Sequence, residues 1–327
     1  MLLTTINQIL ILFGYMGMGF FLCRGKFLPE NTPTVISRLL NYILMPATII
    51  NTFMDKCTVE NFVSKWHIML YSSVILLFCI IVGLLFGRFF HKDPYIQRIY
   101  RYSFTVCNFA FLGIAFVEGV APELLFDYLL FILPLNLYTF SLGVAWLIPT
   151  EGNNGFSFKS FLNPICISLL IGAVMGLTNA VRYIPEQLNF LPSIIGGASK
   201  AMSPMAMILT GFVIGSYPVL SQLKNYKVYI IAVARIFVMP LLIVVILNLL
   251  NTPKDIVSVA LCANAMPLGL NTVIIPSAYG KDPKLGGSLA LVSQLMCIIT
   301  IPLLFGIFLQ SLSYKKSSLL RELCGEV

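Results

Sequence analysis

Two seven-residue stretches hold the residue types from which a polar site in an apolar setting is built. Residues 107–113 read Cys-Asn-Phe-Ala-Phe-Leu-Gly, and residues 263–269 read Ala-Asn-Ala-Met-Pro-Leu-Gly. In each, an Asn precedes a Leu-Gly pair at the same spacing: Asn108 before Gly113, Asn264 before Gly269. A carboxamide offers two donors and an acceptor, while glycine, and Pro267 in the second copy, weaken or break a helix. A helix broken inside a membrane frees backbone donors at one half and acceptors at the other. Such groups are tolerated only where protein or a wet cavity satisfies them. The N-terminus of a half-helix carries partial positive charge and favours a carboxylate. The chemistry is therefore recognition of a small polar or anionic solute, with Asn108 and Asn264 where two broken helices cross and Phe109, Met266 and Pro267 beside them. Two roles of the Asn pair stay open: contact with a solute or ion, or bracing of the freed backbone.

The elements that must carry these stretches are membrane helices. Of 327 residues, 58% are hydrophobic and 10% charged, against roughly a quarter charged in ordinary soluble proteins. Ten stretches reach the roughly 20 apolar residues that a spanning helix needs, from residues 5–23 to 286–312, and the two Asn motifs interrupt the fourth and ninth. The motifs lie 156 residues apart, near half the chain. Pro46 and Pro204 are offset by 158, each followed six residues later by a Thr (Thr52, Thr210), and Gly14 and Gly17 correspond loosely to Gly172 and Gly176. The expected fold is all-α: a first five-helix repeat over 1–150, a cytoplasmic link at 151–160, a second repeat over 161–312 and a tail at 313–327. Because five is odd, the second repeat enters the membrane inverted, and matching interruptions mark a transporter's binding site.

Charge sets orientation. Loops after the odd-numbered helices hold 12 Lys and Arg, the opposite side eight, which places the central link in the cytoplasm and both termini outside. The net charge of +8 is dispersed over short loops, without the basic helix or aromatic signature of a nucleic-acid binder. Eight cysteines show no paired metal-ligand spacing, so no metal and no cofactor is expected. His67 and His91 stand at helix ends and mid-helix acids are missing, which disfavours an enzyme and a two-aspartate antiporter; sodium held by carbonyls and amides stays open. Glu118, Glu123 and Asp127 read as a solvated external rim. Arg235, about seven residues into the eighth stretch, either snorkels to the interface or serves anion attraction or bundle packing. Pro46 and Pro204 read as cavity lining or as simple kinks.

With these residues in view, the chain resembles the auxin efflux carrier family, which includes plant PIN exporters and bacterial malate permeases. The motifs are Asn-Tyr-Ile-Leu-Met-Pro at 41–46, Asn-Phe-Ala-Phe-Leu-Gly-Ile at 108–114, Asn163-Pro164, Met266-Pro267 and Ala-Tyr-Gly-Lys-Asp at 278–282. The resemblance implies two inverted five-helix repeats, helices four and nine crossing at the substrate site, external termini, and organic-anion transport by an elevator-like cycle. Asn108 and Asn264 match the family's crossover positions. Two departures stand out: Ala115 where the family often has Pro, and the absence of the long cytoplasmic loop of plant members. The compact form implies a bacterial, multi-pass cell-membrane permease for a small carboxylate, with a homodimer compatible. The rival is a sodium-coupled organic-anion symporter of the bile-acid type.

Overall fold

The computed structural model describes residues 2–148, 164–183, 185–188, 190–216 and 224–323. The link expected at 151–160 lies outside the described residues. The helices are α1 (Leu2–Arg24), α2 (Thr32–Lys56), α3 (Val59–Phe90), α4 (Pro94–Thr105), α5 (Phe109–Val120) and α6 (Pro122–Leu147). They continue as α7 (Pro164–Leu177), α8 (Phe190–Ser216), α9 (Tyr226–Leu249), α10 (Lys254–Asn264), α11 (Asn271–Ala278) and α12 (Lys284–Leu323). No strand occurs among the described residues; one isolated β-bridge does, and it matters below.

Seven of these helices are long and apolar enough to cross a membrane, namely α1, α2, α3, α6, α8, α9 and α12, and α5 and α7 are shorter apolar helices. The fourth and ninth apolar stretches are each split, into α4 and α5 and into α10 and α11. Local signals set several starts. Asp93 accepts from the backbone N–H groups of Tyr95 and Ile96 ahead of Pro94, and Asn225 accepts from Lys227, satisfying donors that a helix N-terminus leaves free. Two wide π-turns, Leu40–Leu44 and Ala234–Val238, each end two residues before a proline, Pro46 and Pro240. Proline removes a helix hydrogen bond and crowds the carbonyl four residues back, and a widened turn relieves that crowding.

Packing divides the helices into two groups. In one, α1 runs along α8, and α2 lies against α7 and α8; in the other, α3 packs on α4 and α6, α9 on α10 and α12, and α6 on α10. Small residues permit the closest crossings, as in membrane bundles generally. A Cβ at Gly19 would collide with the Ile208 carbonyl on α8, and one at Gly176 with the Phe53 carbonyl on α2. Gly14 and Gly17, paired above with Gly172 and Gly176, meet nothing within 4 Å, so the glycine whose contact mirrors that of Gly176 is Gly19. Large apolar side chains such as Leu170, Phe89 and Ile299 point outward, a surface suited to acyl chains.

The acidic rim is corrected in part. Glu123 is exposed, but Asp127 is 1% exposed and takes both Lys65 Nζ contacts, at 2.6 and 2.8 Å. Glu118 bonds the Ser203 hydroxyl across the α5–α8 contact. Helix packing brings Glu118 and Asp127 each a partner from a distant segment, which offsets the cost of taking a charge out of water.

Candidate functional site

The two interruptions cross. Between α4 and α5 the chain is extended, with Val106 at φ −114°, ψ 127°, and it meets the segment between α10 and α11 as an antiparallel bridge of Cys107 with Leu268. The Asn108 N–H donates to the Pro267 carbonyl at 2.7 Å. Proline cannot donate, so its carbonyl is the group it can offer such a ladder. A Cβ on Gly269 would stand 3.3 Å from the Cys107 carbonyl, a close approach that a larger residue would force apart. Other freed backbone groups find side chains: Cys107 donates its thiol hydrogen to the Ala263 carbonyl at 3.0 Å, and Ser293 Oγ accepts from the Leu268 N–H at 3.0 Å. Buried backbone polar groups demand such partners.

Asn108 caps α5. Its Oδ1 accepts from the Leu112 N–H at 3.4 Å and its carbonyl from the Gly113 N–H at 3.0 Å. Its Nδ2, buried, has no acceptor. The Tyr128 hydroxyl donates to the Phe109 carbonyl at 2.7 Å, and Gly113 leaves the space that this hydroxyl occupies.

Asn264 has a different surrounding. Its Nδ2 donates to the Ala260 carbonyl at 3.0 Å, and Arg235 donates to its carbonyl at 2.9 Å and to its Oδ1 at 3.5 Å. Arg235 is 0% exposed, so snorkelling is corrected. It stands on the π-turn before Pro240, and its guanidinium lies against the last carbonyl of α10, where the helix dipole is negative.

A cavity of about 160 Å³ opens beside the crossing. Its polar lining residues are Asn41, Asn108, Asn136 and Asn271 with Ser37, Thr139 and Cys107, and none of its lining residues is charged. Phe109, Phe111 and Phe140 supply aromatic surface. The starts of α5 and α11 both border it, since Phe109, Ala110, Leu270 and Asn271 are lining residues. Two of its lining residues carry a buried polar atom without a hydrogen-bond partner, Asn108 Nδ2 and Asn136 Oδ1. Unpaired buried groups are few in native proteins and point to a role. The amide ends of Asn136 are interchangeable, so it can present either donors or an acceptor.

Of the residues expected from sequence, Asn108, Phe109 and Gly269 line this cavity. Met266, fully buried, and Pro267 form the crossing segment, and Met266 Cγ would lie 3.4 Å from a Cβ on Gly113. Asn264 and Arg235 stand off the cavity, as do Pro46, which follows the lining residue Met45, and Pro204 within α8. Sequence reasoning did not single out Asn136, Thr139 or Asn271 as site residues. Asn136 carried a usable signal, a carboxamide inside an apolar helix two residues past Pro134. Asn271 carried another, two residues past Gly269.

A profile of the family described as membrane transport protein matches the chain over residues 4–157 and again over residues 153–305. No curated protein matches the chain.

Proposed function

This chain belongs to the membrane transport protein family, that of the auxin efflux carriers, and from that premise we propose a carrier that moves a small carboxylate by alternating access. The chain is a multi-pass membrane protein, and members of the family are transporters rather than enzymes. The observation that carries the reading is the buried, unpartnered Nδ2 of Asn108, a residue that lines an uncharged cavity just before the start of α5. A carboxylate entering there accepts from that amide and from the oriented ends of α5 and α11. It is desolvated against aromatic faces while no acidic side chain repels it.

The proposed architecture is ten spans in two inverted repeats, 1–150 and 161–312, with α4/α5 and α10/α11 as the broken fourth and ninth. Its support is the equivalence of contacts. The α1–α8 packing is answered by α7–α2, α3–α4 by α9–α10, and α3–α6 by α9–α12. The proposed motion slides the cavity-bearing group, α3 to α6 and α9 to α12, along the layer of α1, α2, α7 and α8.

The test is charge movement across proteoliposomes holding the purified protein, with malate, malonate, lactate and indole-3-acetate, each with and without sodium or proton gradients. Current with one carboxylate and no ion gradient is expected. Current only under a sodium gradient would replace this reading by the bile-acid type of symport, and silence with every acid would remove it.

A further inference from the structure

Arg235 is the largest fully buried side chain among the described residues, and no carboxylate among them is its hydrogen-bond partner. The carboxylates of Asp127 and Asp282 are engaged by Lys65 and Lys284. The guanidinium's hydrogen bonds run to the carbonyl and the Oδ1 of Asn264, at 2.9 and 3.5 Å, and its Nε has no partner. Arginine keeps its charge in proteins, and an uncompensated buried ion is strongly destabilising. Something must hold the charge in place, and what holds it is oxygen of a particular kind. A carbonyl at the C-terminal end of a broken half-helix, with an amide oxygen beside it, is the donor set with which carriers of this construction bind a coupling sodium. The neighbouring carbonyl of Ala263 is taken by the Cys107 thiol at 3.0 Å, and the Cys297 thiol lies 3.9 Å from that of Ala265. The oxygens of the α10 break are thus answered by groups that the chain itself supplies.

We propose that Arg235 is a resident cation: its guanidinium occupies the monovalent-cation position at the end of α10 and supplies permanently the positive charge that a coupling ion would bring to the anion site. This rests on the carrier reading above. The connection to the cavity is short, because Cys107, a lining residue, bonds the carbonyl of Ala263, the residue before Asn264. The charge stands directly behind the crossing and offsets that of an anion in a cavity whose own wall is neutral. Arg235 is a positioning residue in this scheme and touches no substrate. Two consequences follow. The native protein takes no sodium at this point, and removal of the guanidinium exposes oxygens that a small cation then binds. A side chain that merely fills space makes neither claim, since no dissolved ion would repair its loss.

The experiment is thermal unfolding of the purified full-length protein in detergent. Sodium, lithium or methylguanidinium is titrated in the millimolar range against choline at constant ionic strength. The native protein is expected to keep one Tm in all four salts. Arg235→Ala and Arg235→Gln are expected to melt lower and to regain at least half of the loss, saturably, with one of the small cations, whereas Arg235→Lys is expected to be insensitive. A Tm of the native protein or of Arg235→Lys that rises specifically with sodium overturns the proposal, as does a folded Ala or Gln variant that regains nothing. The native protein and the Lys variant keep the test decisive if the neutral variants do not fold. No substrate enters this measurement, so silence in the liposome currents would count against the carrier reading alone.

Discussion

Cys107 and Ala263 occupy the same place in the two Asn motifs, 156 residues apart, and they touch: the thiol hydrogen of one is donated to the carbonyl of the other at 3.0 Å. The motifs therefore meet at equivalent positions rather than merely lying in one bundle. The residues that follow them diverge. Asn108, a lining residue of the cavity, keeps an unpartnered amide nitrogen, whereas the amide of Asn264 is engaged by Arg235 and Ala260.

That divergence separates two substitutions. Asn108→Ala loses one N-cap acceptor, worth about 1 kcal/mol, and is expected to melt only slightly lower. Its carboxylate current is expected to fall about tenfold or more, the worth of a hydrogen bond to a charged group at about 1.5–3 kcal/mol. Asn264→Ala is expected to show the larger fall in Tm, because it withdraws an acceptor from a buried guanidinium. Tm and liposome current on the same preparations compare the two, and a folded Asn108→Ala with native current would remove Asn108 from the site.

Gly113 and Tyr128 should be coupled. A methyl group at 113 would collide with the Tyr128 hydroxyl, and overpacking of this kind costs about 1–3 kcal/mol. Tyr128→Phe loses the bond to the Phe109 carbonyl but vacates that space. The double variant is expected to be more stable than the sum of the single losses, with a coupling of about 0.5–3 kcal/mol. Additive losses in a thermal-denaturation cycle would refute this.

Thiol reactivity gives a map of the cavity. Cys57, directly after α2, is fully buried, and burial pushes its thiol up from the ordinary range; the thiolate is the reactive form, so it should resist maleimide near neutral pH until the protein unfolds. Cys107 lines the cavity and should react slowly with a small methanethiosulfonate, and more slowly still with a transported carboxylate present. Peptide mass mapping reads both, and labelling of Cys107 unchanged by every transported acid would contradict the proposed site.

A pH dependence is expected at the membrane edge. Tyr95, in the first turn of α4, donates to the Asp282 carbonyl at 2.9 Å, and burial first, then the Asp282 charge, push its hydroxyl up to about 12. The free phenol titrates near 10, so the folded state favours the protonated form. Its stabilisation is complete below about pH 10 and is lost as pH rises through about 12. Tyr95→Phe is expected to melt lower at pH 8, with the native advantage shrinking between about pH 10 and 12; an advantage that grows over that interval would show the sign to be wrong.

The sequence by itself determined the class of the protein and the places where its helices break. Composition and the lengths of apolar runs are local quantities, and the repeated Asn-to-Gly spacing marked the two interruptions, whereas Pro134 and Pro204 lie inside continuous helices. Pro267 made the second break legible from chemistry alone. The first needed no proline: Ala115 sits undisturbed in α5 while the chain opens before it at Val106 to Asn108. Tertiary structure alone decided which Asn faces the cavity and which holds Arg235. It also brought Asn271 to the Tyr102 hydroxyl at 3.1 Å across 169 residues, set Asn136 on the same wall as Asn108, and buried Asp127 against Lys65. The reason is physical. A run of apolar residues reports that a helix forms, but the direction of a side chain depends on the rotation of that helix against neighbours from distant parts of the chain. That rotation is settled by close contacts such as those of Gly19 and Gly176, which no local pattern encodes.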